Sequence, residues 1–235
     1  MKILKSIFVA TLLFLCNSAF AQYEDGYYYN QSYNSYQSRS YDYYDYDSWG
    51  DFFLEYSPMK LVTNKSGYDD LNFNGFTVGF KYAFRFGYSP VFMDAGFETT
   101  GAYFSESYTE DHEKVKHNID LYFSKIPINL GFRFDIGEAF AIVPYGGVHL
   151  TINISGKERE KTSHGEYRWN LFDEDDMNDC AYNRFQVGYQ GGLKFIIFNT
   201  LSIGASYKGD FTPIYSEDGV KQKFRGFSFN IGYCF

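Results

Sequence analysis

Charged side chains recur at alternate positions inside runs of large apolar residues, and this placement is the chain's first chemical signal. Over 76–88, Phe76, Val78, Phe80, Tyr82, Phe84, Phe86 and Tyr88 alternate with Thr77, Gly79, Lys81, Ala83, Arg85 and Gly87. Asp94 and Glu98 take the equivalent places among Val91, Met93, Ala95 and Phe97. Arg133, Asp135, His149, Lys194, Lys208 and Asp210 also fall on the polar side of such runs. A period of two puts alternate residues on opposite faces of a strand, so these charges share the face that carries Gly, Ala, Ser and Thr. If that face is enclosed, they either pair and stiffen the interior or relay protons and ions. Pairing is favoured, because an enclosed charge has to be paired to be tolerated. A hairpin of the second and third runs would set Lys81 and Arg85 diagonally across from Asp94 and Glu98.

Catalytic chemistry has thin support. The histidines are His112, His117, His149 and His164, and three of them lie between strand patterns. Neither a Gly-x-Ser-x-Gly elbow nor a His-Glu-x-x-His pair occurs. His149, beside Gly147, Thr151 and Asn153, reads as an interior hydrogen-bonding group. No catalytic residue, metal ligand or cofactor is expected, and the chain is read as a non-enzyme.

The segment 156–183 is the best candidate for binding. It opens Lys157-Glu-Arg-Glu-Lys161, passes Trp169-Asn-Leu-Phe172 and ends in an acidic run through Asp173, Asp175, Asp176 and Asp179. Long loops on rigid scaffolds commonly carry binding. Trp169, Leu171 and Phe172 would form an apolar hook, with Asp173, Asp175 and Asp176 setting the charge. The acidic run is a poor calcium loop, because Met177 and Asn178 stand where Asp or Asn and then Gly are wanted. A solvated surface loop is the plainer alternative.

The elements that must hold these residues are strands. Eight patterns fall at about 52–62, 76–88, 91–105, 118–136, 140–155, 184–198, 201–214 and 223–235. In the fourth, Ile119, Leu121 and Phe123 are odd, whereas Ile126, Ile128, Leu130, Phe132, Phe134 and Ile136 are even. A β-bulge just before Pro127 would account for the slip. Short connections follow the second, fourth and sixth strands. Longer ones, at about 63–72, 106–117, 156–182 and 215–222, follow the others.

The chain's ends set the compartment. Lys2 and Lys5 precede an apolar run from Ile7 to Leu15 and then Ala19-Phe-Ala21, which reads as a secretory signal peptide cleaved before Gln22. The run is too short for a membrane-spanning helix, which needs about 20 apolar residues. Loss of that leader takes the net charge from −8 to −10, which argues against nucleic acid as a partner. Residues 22–50 hold ten Tyr among Ser, Asn, Gln and Asp, with no Val, Ile, Leu, Met or Phe, and are expected to be a disordered tether or a sticker segment. Residues 51–235 form one domain.

That domain is expected to be an all-β, eight-stranded antiparallel up-and-down barrel. A soluble lipocalin-like barrel is the rival, and volume separates the two. Eight strands leave an interior only wide enough for side chains or one small ligand. Phe and Tyr recur on the apolar face of strand after strand, too bulky to point inward together. They face outward, and outward has to be lipid. Cys180 and Cys234 then fall at opposite ends of the barrel and are expected not to bond.

The last strand alternates Phe227, Phe229, Ile231, Tyr233 and Phe235 with Ser228, Asn230, Gly232 and Cys234. It resembles the closing strand of bacterial outer-membrane barrels. Lys125-Ile-Pro-Ile-Asn-Leu-Gly-Phe-Arg-Phe134 followed by Val143-Pro-Tyr-Gly-Gly-Val148 resembles paired strands of outer-membrane β-barrel domain proteins of the PorT-like kind, from Gram-negative bacteria of the Bacteroides group. The resemblance covers about 73–235. It implies an outer-membrane location, and it makes Tyr233 and Phe235 a signal read by the barrel-assembly machinery. It implies no activity. With an even strand number and short turns on the periplasmic side, both termini would be periplasmic. The partners expected are outer-membrane lipid, the assembly machinery and a ligand outside the cell or in the periplasm. The function expected is a non-enzymatic surface scaffold or binding protein acting through extracellular loops. An accessory role in secretion or envelope assembly is second, and a barrel enzyme acting on lipid or peptide is third.

Overall fold

The computed structural model describes residues 48–65, 70–86, 89–110, 113–137, 139–172 and 182–235. Every element among them is a strand: β1 (Ser48–Thr63), β2 (Leu71–Arg85), β3 (Val91–Glu110), β4 (Glu113–Phe132), β5 (Phe134–Ile136), β6 (Phe140–Lys161), β7 (Glu166–Asn170), β8 (Phe185–Ile197), β9 (Leu201–Asp210), β10 (Tyr215–Glu217) and β11 (Val220–Cys234). Eight of them pair antiparallel in the order β1-β2-β3-β4-β6-β8-β9-β11. Register then joins the last to the first, with Phe52 opposite Tyr233 and Lys60 opposite Arg225. The eight expected strands are these eight, and the ring leaves no principal edge unpaired.

Alternating burial follows alternating chemistry. On β1 the sequence Phe53, Glu55, Ser57, Met59 is buried, while Phe52, Leu54 and Tyr56 are exposed. Phe76, Val78, Ile128, Leu130, Ile203, Phe229 and Ile231 are likewise exposed on the outer face. A water-facing sheet would not present such residues on every strand, whereas lipid is the solvent they match.

Small side chains inside make room for large ones. A side chain at Gly188 would collide with the His149 ring, so glycine there is what lets that imidazole lie within the barrel. The turn from β8 to β9 is tight, with three residues between the paired Ile197 and Leu201, of which Phe198 and Asn199 are at positive φ (52° and 54°).

Three expectations are corrected. The phase change on β4 is not a slip before Pro127. Ile119, Leu121 and Phe123 point into the barrel and are buried, while Ile126, Ile128 and Leu130 point out. The face that is apolar changes along the strand because the interior itself turns apolar toward that end. A bulge does exist nearby: the β4–β6 register shifts between Tyr122 and Phe123, opposite Ile154 of β6. Second, the connection expected over 106–117 is mostly strand, since β3 and β4 are 20 residues each and pair as far as Glu110 and Glu113. Third, the opening of the expected 156–182 loop is a hairpin, in which β6, 22 residues long, pairs with β7 from Lys157–Asn170 to Lys161–Glu166. About 10 residues suffice to cross a membrane, so these strands continue well beyond it.

Candidate functional site

The interior is built in three layers. At the end where β1 begins, Trp49, Ala83, Phe92, Ala141, Val143, Ile196 and Cys234 pack together. Toward the other end, Met59, Leu61, Phe73, Phe104, Ile119, Leu121, Phe123, Ile214 and Phe224 form a second apolar cluster. Between them lie the charges.

Glu98, fully buried, forms an ion pair with Lys81 at 3.0 Å on one oxygen and accepts a hydrogen bond from Lys208 at 3.0 Å on the other. Lys208 also reaches Glu55 at 2.8 Å, which takes a further hydrogen bond from Ser57 at 2.9 Å. Lys194 pairs with Asp51, whose other oxygen accepts Ser202 at 2.9 Å. Asn129 donates to Asp94 at 2.6 Å, and Gln190 donates to Asn129 at 2.7 Å. His149 stands 3.5 Å from Asp210. Lys125 lies 5.2 Å from the Phe123 ring centre. Glu98, Glu55 and Asp51 are each matched to an ammonium, which is what lets such charges be buried. A void of about 20 Å³ lies beside Glu55, Lys125, Lys208 and Asp210, room for about one water molecule.

The partners differ from those the hairpin reading expected. Lys81 does meet Glu98. Arg85, however, reaches Asp135 at 3.1 Å rather than Asp94 or Glu98, and Asp135 also takes Arg133 at 2.8 Å. That trio sits at the rim, where Asp135 is 42% exposed. Sequence reasoning missed Asp51, Glu55 and Lys125. The first two share the phase of Phe53 and Ser57, a legible period of two that Pro58 and Lys60 obscure further along.

The hook expected at Trp169, Leu171 and Phe172 comes apart. Leu171 and Phe172 turn inward and are buried at 5% exposure in the second apolar cluster, beneath Gly156 and against Leu121 and the Tyr182 ring. They close the barrel rather than project from it. Trp169 stays exposed on β7, and its indole N–H donates to Glu158 at 2.9 Å. Asp173, Asp175, Asp176 and Cys180 lie outside the described residues. Cys234 is a free, buried thiol.

The outer face of the hairpin forms a cleft of about 430 Å³ among Asp120, Tyr122, Lys157, Arg159, Arg168 and Trp169. Arg159 pairs with Asp120, and Arg168 with Glu166 at 2.9 Å. The hydrogen bond from Arg168 holds the Glu166 carboxyl below its ordinary value, and the same bond raises the guanidinium.

Ser163, His164 and Glu113 come together at the hairpin. Ser163 lies 3.2 Å and Glu113 3.1 Å from His164, but both contact the same ring nitrogen, Nδ1. A relay needs the two nitrogens to face different partners. Among the described residues no His, Cys, Asp and Glu cluster could hold a metal ion.

At the chain's end, the Gly50 N–H donates to the Phe235 carbonyl at 2.7 Å and the Phe235 N–H donates to the Gly50 carbonyl at 3.1 Å. The Phe235 ring stacks with Phe80 and Tyr233 and covers Gly50, where a side chain would strike it. Both Tyr233 and Phe235 are exposed on the outer face.

Residues 7–235 match the family model described as outer membrane protein beta-barrel domain. No curated protein matches the chain. Among solved structures, the chain is similar to Ail, the attachment invasion locus protein of Yersinia pestis, at 17% identity and TM-score 0.43, over 80% of this chain and 99% of that one. Neisserial surface protein A matches at 11% identity and TM-score 0.40, over 80% and 96%. The outer membrane enzyme PagL matches at 11% identity and TM-score 0.35, over 76% and 97%.

Proposed function

The chain belongs to the outer membrane protein β-barrel domain family, which places it in the cell outer membrane, and from that premise we propose that it is a sealed, non-enzymatic barrel displaying a binding surface outside the cell. The observation that carries this reading is the filled interior. Ion pairs centred on Glu98 occupy the middle, and apolar clusters lie above and below. A pore needs a continuous polar path, and a lumenal enzyme needs an open cleft. Neither is supported by side chains packed this closely. What remains available to a partner is the surface beyond the membrane. The end bearing the β3–β4 and β6–β7 hairpins is taken as extracellular, with the chain termini periplasmic, since longer projections belong outside in such barrels.

Planar-bilayer recording tests the sealed barrel. The folded protein should insert without producing unit conductance steps, and regular steps would sink the reading. The binding surface is tested separately, by shortening 157–170 to a Gly-Ser turn in cells. Surface labelling and heat-modifiable gel mobility should stay normal while capture by an array of surface glycans and lipids is lost. Unchanged capture would move binding elsewhere on the protein.

A further inference from the structure

The hairpin beyond the membrane segregates charge by face. Along β6, Lys157-Glu-Arg-Glu-Lys161 puts Lys157, Arg159 and Lys161 on one side and Glu158 and Glu160 on the other. The acidic side turns inward, where Glu158 holds His117 at 2.6 Å. The basic side turns outward, continuing the face that carries Leu150 and Ile154 lower on the same strand.

Cross-strand register then sets like charges directly opposite each other. Lys116 of β4 faces Lys161, and Arg159 faces Arg168 of β7. Such pairs are destabilising in a sheet. Among the described residues, Lys116, Lys157 and Lys161 have no carboxylate within salt-bridge distance. Arg159 and Arg168 are eased by Asp120 and Glu166, the two carboxylates that register sets opposite Lys157 and Lys161, and both are already engaged by arginines. On β11, Lys221, Lys223 and Arg225 take alternate positions, and Arg225 faces Lys60, which pairs with Asp70 at 2.9 Å. A chain of net charge −8 has gathered cations on this outer face.

Height identifies the anion. Tyr122, opposite Ser155, is hydrogen-bond partner to Tyr103, and both rings are exposed at the upper border of the apolar band. Tyrosine belts mark the membrane–water boundary. Lys157 lies two residues beyond Ser155 and Arg159 four. At about 3.3 Å per residue and a strand tilt near 40°, they stand about 5 and 10 Å above that belt. The headgroup layer is about 5–8 Å thick on each side of the hydrocarbon. A face directed sideways at this height looks across the bilayer surface rather than out into solution.

We propose that this outward basic face binds the phosphate groups of phosphorylated glycolipids in the outer leaflet. Lys157 would contact the phosphate nearest the acyl chains, with Arg159, Arg168, Lys116 and Lys161 reaching anionic groups further out. The inference rests on the extracellular assignment of this hairpin.

The test uses the full mature protein and the triple variant Lys116→Gln, Lys157→Gln, Lys161→Gln, which removes cations without orphaning any carboxylate. Lipid retention is read by native mass spectrometry with bisphosphorylated lipid A, its dephosphorylated form and soluble polyphosphate as probes. The wild type should prefer the phosphorylated lipid at least tenfold, and the variant should lose that preference. In lipid-free micelles the variant should resist unfolding as well as the wild type or better, because like-charge repulsion is relieved. That stability result separates lost binding from lost fold, and Lys157→Gln alone should give a smaller loss in the same direction. Equal retention of phosphorylated and dephosphorylated lipid overturns the proposal. So does an unaffected triple variant, or a polyphosphate that binds more tightly than the lipid, which would mark a soluble polyanion. Conductance steps from the same preparation would overturn the sealed barrel while leaving the lipid result standing.

Discussion

Glu98 is the residue on which the mid-barrel charge layer turns. It is fully buried, and its two oxygens serve two different lysines, so it neutralises Lys81 and shares Lys208 with Glu55. Glu98→Ala would leave an ammonium without its counter-charge in a space holding about one water. Breaking a buried pair on one side costs about 3–5 kcal/mol, more than the pair adds over an apolar filling. Urea unfolding in lipid vesicles should show a loss of that size, and a loss below about 1 kcal/mol would mean water enters the layer. Outside the membrane the electrostatics are gentler. Glu166 is held below its ordinary 4.5 chiefly by Arg168, so any support this pair gives the hairpin is complete above that pH and is lost as pH falls through the lowered value. Arg168→Ala should return the Glu166 titration, followed by carboxyl NMR, to the ordinary range.

At the scale of elements, the segment after β7 works as a stopper. Leu171 and Phe172 enter the apolar cluster formed by β1, β2, β3, β4 and β11, and Gly156 leaves them the room. Leu171→Ala with Phe172→Ala should therefore lower barrel stability by about 4 kcal/mol or more, the sum expected of two large-to-small core changes. Trp169→Ala, at an exposed position of β7, should leave unfolding within about 0.5 kcal/mol. If the double variant unfolds like the wild type, these two side chains do not cap the barrel. The terminal strand poses a different question. Phe235 is half exposed and closes the seam through Gly50. Its deletion should cost in-vitro stability no more than about 1.5–3 kcal/mol. Yield in the outer membrane should fall much further, because an assembly signal acts before the fold exists. A matching, modest fall in both measurements would reduce Phe235 to packing.

For the molecule as a whole, function follows from how little of the interior is empty. Because apolar layers flank the charges on both sides, Lys81→Ala with Glu98→Ala should weaken the barrel without making it conduct in a planar bilayer. Conductance from that variant would show that the charge layer alone forms the seal. The ring of eight strands was readable in the sequence because period-two alternation is written locally: Phe76 to Phe86 and Phe227 to Phe235 declare their faces without reference to any neighbour. The outward direction of the bulky face followed from volume, since eight strands cannot enclose that many aromatic rings. Lys81 with Glu98 was readable for the same reason, as hairpin neighbours fix each other's positions. Tertiary structure alone decided the rest. Arg85 takes Asp135 and Lys208 bridges Glu55 and Glu98 because ring closure brings distant strands across the lumen, at separations no local pattern encodes. Ile119, Leu121 and Phe123 look lipid-facing by type and point inward in fact. An apolar side chain states only that it avoids water, and in a membrane barrel both the lipid and a packed interior offer that.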